Sequence, residues 1–405
     1  MDAPHELEPI ELIVLQGNSL CNLDCKYCDL SAESRRERRT MPISLLRRLF
    51  EDLFAGEHLG GDVTVVWHSG EPLSLPPSYY DEAMGLILSI GERSAKDISV
   101  RFRIQTNGVL INEQWCDLFS RWRGVLGVGI SCDGPAALHD AYRVNWNGGP
   151  THEKTVRGMD LLQAHGIPYK LIAVVTPQTL AHPRAFLEFF LARRQFLSDF
   201  HFNILAEADC VDPRFAYSTN DRDAYYAFYR ALLELLREAE HAGQPFKVQN
   251  FSQTMARILS AEGKDGLGHH RHASAPLKSI SVDAQGNITT FYAGLAITTL
   301  KDLYGDGRGL SIGNIHESSF DGMLRTGKLD RIIRDFRVSE QACERACPYF
   351  AICPGGYELT KQVTLGTFDA SETTECKIHV QTLVDALLDD LDSHIRSDSM
   401  DAAVN

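Results

Sequence analysis

Short apolar runs alternate with longer amphipathic stretches over residues 10–205. The apolar runs are rich in β-branched residues and predict strands: they are ELIVLQG, DVTVVWHS, SVRFRIQTNG, VLGVGISCDG, YKLIAVVT and FHFNIL. The amphipathic stretches predict helices: they are SLLRRLFEDLFA, SYYDEAMGLILSIGERS, EQWCDLFSRWR, KTVRGMDLLQAHG and RAFLEFFLARR. Strands separated by helices indicate a parallel sheet, and six such units are fewer than the eight of a closed barrel. We therefore predict an α/β fold, a partial (β/α)6 barrel of the TIM type over residues 1–205.

The pattern changes after residue 205. Residues 206–266 predict a helical bridging segment, and KSISVDAQGNITTFY predicts a hairpin that turns at Gln285-Gly286-Asn287. The hairpin begins a smaller, cysteine-containing C-terminal domain over residues 267–385. TLVDALLDDLDSHIRS predicts a closing helix, and we expect residues 386–405 to form an acidic, frayed tail.

Composition excludes several classes of function. Hydrophobic residues make up 44% of the 405 residues and charged residues 23%, which is typical of a soluble enzyme. The formal net charge of −14 offers no field that would attract nucleic acid. No apolar run approaches the roughly 18 residues of a membrane span, and the acidic start lacks the basic and apolar regions of a signal peptide. We expect a cytoplasmic protein with neither nucleic acid nor membrane as partner.

The ten cysteines fall into two groups and three scattered positions. In a reducing cytosol, clustered thiols more often bind metal or act in catalysis than form disulfides. Cys116, Cys132 and Cys210 are isolated and read as small buried hydrophobes. The other seven predict two metal sites: Cys21, Cys25 and Cys28 near the start, and Cys343, Cys347, Cys353 and Cys376 near the end.

The first group directly follows the first predicted strand, with C-x3-C-x2-C spacing. Thiolates hold iron-sulfur clusters, usually four per cluster. Three local cysteines would leave one iron open for chemistry, as the open position of a catalytic zinc site does. A structural zinc knot with a fourth ligand from elsewhere is the alternative.

This spacing resembles the signature of the radical S-adenosylmethionine (SAM) superfamily. In that family SAM chelates the open iron, and its reductive cleavage yields a 5′-deoxyadenosyl radical. Further loops resemble SAM-binding motifs: Ser69-Gly70-Glu71-Pro72 resembles GGEP with Ser69 in place of the first glycine, and polar groups follow the third and fourth strands. The resemblance assigns SAM contacts to Tyr27, Ser69, Gly70, Glu71, Pro72, Gln105, Thr106, Asn107, Ser131, Asp133 and Arg143.

Structural roles remain open for several of these residues. Asp133-Gly134-Pro135 is also a strong turn signal, so Ser131 and Asp133 could form a turn. Arg143 suits the bidentate binding of the SAM carboxylate, although an ordinary loop arginine is the alternative. Glu71 could be structural.

The second group, C-x3-C-x5-C with a distant fourth cysteine, resembles the auxiliary-cluster half of a SPASM or twitch-like domain. The cysteines that a full SPASM domain places around the hairpin and after Cys353 are absent; this chain reads Thr290-Phe291-Tyr292 and Pro354-Gly355-Gly356-Tyr357 there. The resemblance therefore implies two 4Fe-4S clusters in total, one binding SAM and one auxiliary. A four-thiolate zinc ribbon is the alternative. The trio His269, His270 and His272 reads as a solvated loop rather than as replacement ligands.

Taken together, VVWHSGEPLSLPPSYYDEA, VGISCDGPAALHDAYR and the segment 343–376 resemble the cyclophane-forming radical SAM/SPASM peptide maturases that act on Gly-rich repeat precursors. That resemblance implies a ribosomal precursor peptide as partner, an electron donor such as flavodoxin or ferredoxin, and a bond between an aromatic carbon and a β-carbon. Because rearomatisation releases a proton, a base is required, and we nominate Glu207 and Asp209 after the sixth strand. Solvated loop acids are the alternative for both.

Two departures weaken the transfer of substrate identity from this group: Glu358-Leu359-Thr360-Lys361 stands where Asn-Lys-Tyr is common, and the loop after the sixth strand reads Asn203 to Asp209. Thioether formation, β-hydroxylation or a sulfatase-type dehydrogenation is the enzymatic alternative. A noncatalytic iron-sulfur module is the alternative from another class. Because the first strand begins near residue 10, we expect no separate N-terminal leader-binding domain and place leader binding at the barrel mouth or in residues 206–266.

Overall fold

One nine-stranded sheet organises the part of the chain that the structure describes. The computed structural model describes residues 7–205, 221–260, 277–290, 300–356 and 358–404. The strand order is β6-β5-β4-β3-β2-β1-β7-β8-β9, so β6 and β9 form the two edges. The first six strands are parallel neighbours in sequence order: β1 (Ile10–Leu15), β2 (Leu59–Trp67), β3 (Ser99–Thr106), β4 (Leu126–Ser131), β5 (Tyr169–Val175) and β6 (Leu197–Ile204).

Helices connect these strands, as the hydrophobic periodicity predicts. In α2, Leu45, Leu46, Leu49 and Leu53 recur at helical spacing and are all buried. Within this half the helices are α1 (Ala32–Arg36), α2 (Ile43–Ala55), α3 (Pro77–Arg93), α4 (Glu113–Arg121), α5 (Ala136–Tyr142), α6 (His152–Ala164), α7 (Pro177–Leu180) and α8 (Pro183–Leu191). A 3-10 turn, Pro72–Ser74, precedes α3.

The core lies between the strands and these helices. Trp67 at the end of β2 is fully buried; its ring centroid lies 5.2 Å from that of Tyr80 on α3 and 5.7 Å from that of Phe102 on β3. Aromatic pairs of this kind add to the free energy gained from apolar burial. The carboxyl end of β2 is therefore rigid, and the loop that follows it starts from a fixed point.

Two further helices cover the sixth strand: α9 (Arg222–His241) and α10 (Gln249–Leu259). Phe200 packs on Phe190 of α8 with ring centroids 4.3 Å apart. Phe202 lies against Tyr229 of α9 and Phe251 of α10. The predicted helical patterns in residues 222–263 are thus confirmed within the described part of the segment.

The predicted hairpin is confirmed, but it extends the same sheet. Strand β7 (Ser279–Val282) pairs antiparallel with β8 (Asn287–Thr289), and the turn contains Gly286 with φ +87°. On its other side β7 pairs in parallel with β1, so it adds a seventh parallel strand. The short β9 (Gly313–Asn314) completes the sheet.

The C-terminal part beyond the sheet is helical. Its elements are α11 (Phe320–Leu324), α12 (Lys328–Ala346), α13 (Glu358–Leu365), α14 (Thr374–Cys376), a five-residue π-helix (Lys377–Gln381) and α15 (Thr382–Val404). The predicted closing helix is α15, which continues to Val404. It lies against α9, where Arg230 and Arg237 both contact Asp390.

The fold class agrees with the prediction: a mixed α/β protein with a parallel sheet core and a C-terminal extension. Among the helices of the described ranges, none combines the length and the hydrophobicity that crossing a membrane demands.

Candidate functional site

The loops that follow the carboxyl ends of β1 to β4 carry the residues singled out by sequence. Because neighbouring parallel strands end at the same edge of a sheet, ligands bind at this edge in α/β folds. The three cysteines follow β1, Ser69–Pro72 follow β2, Gln105–Asn107 end β3, and Ser131–Asp133 end β4. The structure thus brings these predicted groups to one side of the sheet.

The cysteine loop has a fixed backbone. The amide of Cys21 donates to the Arg35 carbonyl at 2.9 Å, and that of Cys28 donates to the Cys25 carbonyl at 3.2 Å. The Leu23 amide donates to the Cys21 sulfur at 3.4 Å. All three cysteines are half-buried. Burial, and then the nearby Glu71 carboxylate, raises the pKa of the Cys21 thiol to about 12, so the protein alone does not favour a thiolate there.

The buried side chain of Arg35 stabilises the cysteine loop. Its guanidinium donates to the Leu30 carbonyl at 3.0 Å and to the Leu23 carbonyl at 3.1 Å, and it forms an ion pair with Asp24 at 2.9 Å. The residue is only 5% exposed. Sequence reasoning missed it because it lies in the run Arg35-Arg36-Glu37-Arg38-Arg39, which reads as a charged surface.

Trp146 also contacts the cysteine loop. Its indole N–H donates to the Cys21 carbonyl at 2.9 Å, and the guanidinium groups of Arg35 and Arg36 lie 5.0 and 4.3 Å from its ring centroid. Backbone bonds from Asp24 to Val144 and from Lys26 to Tyr142 join the same two segments. The chain between α5 and α6 therefore fixes the position of the thiols.

Glu71 ties three loops together. Its Oε1 accepts from the Leu73 amide at 2.8 Å and from the Thr106 hydroxyl at 2.6 Å, and its Oε2 accepts from the Asn107 amide at 2.9 Å. Its own amide donates to the Leu20 carbonyl. The side chain is 1% exposed, and burial raises its pKa. This network gives Glu71 the structural role that the sequence left open.

The two residues before Glu71 adopt positive φ angles. Ser69 has φ +72° and Gly70 has φ +67°. A Cβ on Gly70 would lie 2.4 Å from the Asn18 carbonyl oxygen and 2.9 Å from that of Ser19. Gly70 is thus required by its close approach to the chain after β1, whereas Ser69 holds a conformation that glycine adopts at lower cost.

Asp133 and Arg143 form a buried ion pair, with Arg143 Nε 2.9 Å from Asp133 Oδ2. The hydroxyl of Tyr27, in the cysteine loop, donates to the same oxygen. Asp133 Oδ1 accepts from the Val174 amide at 2.9 Å. The neighbouring carboxylate raises the pKa of Arg143 against the opposing effect of burial. The group joins the cysteine loop to the ends of β4 and β5.

Polar side chains of β3 and β4 meet at the same edge. The Gln105 amide donates to the Ser131 hydroxyl at 3.1 Å, and a Cβ on Gly129 would lie 2.1 Å from Gln105 Oε1. Gly129 therefore leaves the space that Gln105 occupies. Asn107 Nδ2 donates to Asn22 Oδ1 of the cysteine loop at 2.7 Å.

The second cysteine set lies where α12 ends and α14 begins. Cys343 is buried on α12, and the Cys347 amide donates to its carbonyl at 2.7 Å. The Thr373 amide donates to the Cys376 sulfur at 3.2 Å. Burial raises the pKa of the Cys376 thiol to about 11, although hydrogen bonds with Thr373 act in the opposite direction.

Within the residues that the structure describes, no three His, Cys, Asp or Glu side chains converge as ligands of one metal ion.

Several predicted residues fall outside the described ranges: Glu207, Asp209, Cys210, His269, His270, His272, Phe291, Tyr292 and Tyr357. Cys116 and Cys132 are fully buried, which confirms their reading as core residues.

The fold and site define an α/β protein with a three-thiol loop at the carboxyl edge of its sheet, and the comparisons agree. Residues 18–190 match the Radical SAM superfamily. An uncharacterized protein of Synechocystis sp., sll1766, is 32% identical over 390 residues, which are 96% of this chain and 93% of that protein. The chain belongs to the radical SAM superfamily.

One further relative and one solved structure are also similar to this chain. The cysteine-type anaerobic sulfatase-maturating enzyme of Clostridium perfringens (strain 13 / Type A) is 25% identical over 367 residues, 86% of this chain and 89% of that enzyme. The structure of native anSMEcpe with bound AdoMet and Cp18Cys peptide has a TM-score of 0.69 at 20% identity, covering 95% of this chain and 99% of that one. This second likeness shows the fold.

Proposed function

We propose that this protein is a radical SAM maturase that forms a cyclophane cross-link in a ribosomally made peptide. The observation that carries the proposal is the loop after β1. It carries Cys21, Cys25 and Cys28 within eight residues, and the other described cysteines lie in the hydrophobic core or in the second set. A donor set of three thiols fits a 4Fe-4S cluster with one iron left for SAM.

We infer that this loop would hold such a cluster. Thiolates are the required ligands, and the Leu23 amide already points at the Cys21 sulfur. In the protein alone burial raises the pKa of Cys21, so iron supplies the positive charge that a buried thiolate needs. When bound, the cluster and SAM together supply a 5′-deoxyadenosyl radical that removes a hydrogen atom from a β-carbon of the peptide.

Several residues of this chain would position SAM. Asp133 holds Nε of Arg143, and we assign the terminal amino groups of that guanidinium to the SAM carboxylate. Gln105 and Ser131 face the same edge as a polar pair, and we assign them to the ribose. We assign Glu71 and Thr106 an indirect effect on SAM through the loops they fix, because the Glu71 carboxylate oxygens and the Thr106 hydroxyl already have partners in the protein.

The remaining groups would complete the oxidation. Forming the bond between ring carbon and β-carbon and restoring aromaticity releases one proton and one electron. Cys343, Cys347, Cys353 and Cys376 would hold a second 4Fe-4S cluster, which would supply an electron acceptor, and Glu207 or Asp209 would accept the proton. A flavodoxin or ferredoxin is the proposed reductant, and the cytoplasm is the proposed location.

The second candidate is a sulfatase-type dehydrogenation of a serine or cysteine side chain. The named anaerobic sulfatase-maturating relative favours it, since the similarity covers 86% of this chain. The peptide in the anSMEcpe structure supports a peptide substrate for either candidate.

Product analysis separates the candidates. The protein is incubated anaerobically with SAM, dithionite and the small peptide encoded beside its gene. A cyclophane removes two hydrogens, blocks fragmentation between the joined residues and transfers deuterium from a β-deuterated residue into 5′-deoxyadenosine. A carbonyl product that reacts with hydrazide indicates the sulfatase-type reaction, and added oxygen indicates hydroxylation. A thioether consumes a cysteine that iodoacetamide would otherwise label.

A further inference from the structure

Lys361 is a buried lysine beside the second cysteine set. It lies on α13 and is 1% exposed. Its ammonium donates to the Ser339 carbonyl at 3.1 Å, to the Ser339 hydroxyl at 2.6 Å and to the Cys343 sulfur at 3.0 Å. Three acceptors match the three hydrogens of an ammonium group, so the side chain is fixed.

Among the three acceptors of the Lys361 ammonium group, only the Cys343 sulfur can carry a negative charge. The carbonyl and hydroxyl of Ser339 are neutral, and so is a protonated thiol. A buried cation is costly unless an opposite charge accompanies it. A metal-bound Cys343 thiolate provides that charge at 3.0 Å.

The Cys343 sulfur is also enclosed from other directions. The Ser371 carbonyl oxygen lies 3.5 Å away, and a Cβ built on Gly355 would lie 3.6 Å from the sulfur. Gly355 has φ +88°, so its backbone passes close to the cysteine. Since water has little access, an N–H···S bond here acts on the sulfur with little screening.

We propose that Lys361 sets the reduction potential of the second cluster by donating a charged hydrogen bond to its Cys343 ligand. The inference rests on the proposed function, which gives that cluster the electron released by the substrate. A cluster that gains one electron gains one negative charge. A fixed cation next to a ligand sulfur stabilises that reduced state, and hydrogen bonds to sulfur are established determinants of cluster potential. Lys361 thereby makes the cluster a better acceptor.

The test uses the full chain with Cys21, Cys25 and Cys28 replaced by alanine, so that only the second set can bind a cluster. The midpoint potential is measured by redox titration monitored by electron paramagnetic resonance. Lys361→Met should lower the potential by the equivalent of at least tenfold in the one-electron equilibrium, which is 59 mV. The control is Lys377→Met, which removes a solvent-accessible lysine that pairs with Glu372 next to the ligand Cys376. The change in midpoint potential caused by Lys377→Met should be less than a third of the change caused by Lys361→Met.

An unchanged potential in Lys361→Met, or an equal shift in Lys377→Met, overturns the inference and leaves the two-cluster proposal intact. If the chain with the three cysteine-to-alanine changes, which is the parent of both variants, binds no iron at the second set, the Lys361 inference and the two-cluster proposal are both wrong. If Lys361→Met loses its cluster, the test uses instead the chain with the three cysteine-to-alanine changes, labelled with 15N-lysine. The reduced parent should show a 15N hyperfine coupling that disappears in Lys361→Arg, and a spectrum without that coupling contradicts the contact.

Discussion

Arg143 Nε lies 2.9 Å from Asp133 Oδ2 in a pair from which water is almost excluded, with side chains 9% and 1% exposed. The carboxylate also accepts from Tyr27 and from the Val174 amide. The Asp133 carboxylate thus joins three parts of the chain: the cysteine loop, the turn after β4 and the end of β5. We infer that this anion maintains the geometry of the site.

Asp133→Asn should lower the free energy of unfolding by about 3–5 kcal/mol, because it leaves the Arg143 cation buried without a counter-charge. Urea denaturation under anaerobic conditions measures this difference. The matched control is Glu188→Gln, which breaks an exposed pair with Arg184 and should change stability by less than about 1 kcal/mol. Equal changes in the free energy of unfolding would show that the buried pair stabilises the protein no more than the exposed pair does.

Arg35→Met should reduce the iron bound at the first cysteine set to less than half. The change removes the donors that hold the Leu23 and Leu30 carbonyls and the partner of Asp24, so the loop loses its fixed shape. Arg36→Met is the control, since Arg36 is exposed and its guanidinium lies 4.3 Å from the ring centroid of Trp146. Iron analysis after anaerobic reconstitution compares them. The account of Arg35 is wrong if both variants bind iron as the unmodified protein does.

Gly70→Ala should destabilise the protein by at least about 2 kcal/mol. The new Cβ would meet carbonyl oxygens at 2.4 and 2.9 Å, and φ is +67°. Gly85→Ala on α3 is the matched control, because a Cβ there meets nothing within 4 Å. That variant should be more stable by about 0.5–1 kcal/mol. Thermal unfolding of both proteins checks the two opposite signs.

Acidification should destabilise the fold through His139. Burial lowers its pKa to about 4, while Nδ1 accepts from the Asp133 amide and Nε2 contacts the Thr151 hydroxyl. The unfolded chain therefore binds more protons between pH 6.5 and 4, so stability is complete above pH 6.5 and falls as the pH drops. From pH 7.5 to 5 the contribution lost is about 2 kcal/mol.

His139→Gln should remove this part of the pH dependence, whereas His241→Gln at the exposed end of α9 should keep it. The measurement is the difference in unfolding free energy between pH 7.5 and 5. Identical differences in His139→Gln and the unmodified protein would contradict the assignment.

Local patterns were enough to predict the six strands and the helices between them. Helical spacing in α2 and β-branched runs such as that of β1 report burial directly, because the residues that fold inward are apolar. The pairing of β7 with β1 was not predictable in the same way. It joins segments about 270 residues apart in the numbering, and no local signal encodes which edge a strand will join.

The site was predictable only where a motif marks it. The cysteine spacings and the Ser69–Pro72 loop are read from the sequence. The sequence does not mark the supporting residues Arg35, Trp146 and Lys361, because a buried side chain can have the same local sequence pattern as an exposed one. Their burial follows from tertiary partners: carbonyls of the loop for Arg35, and a sulfur and a serine for Lys361.

The central claim is that Cys21, Cys25 and Cys28 hold a cluster whose open iron binds SAM. Quantifying 5′-deoxyadenosine after anaerobic incubation with SAM and dithionite tests it most directly, with the Cys25→Ala variant as comparison. We predict at least one equivalent of 5′-deoxyadenosine per protein from the unmodified chain and none from the variant. Intact SAM in the presence of a fully reduced cluster, or equal cleavage by both proteins, would contradict the account.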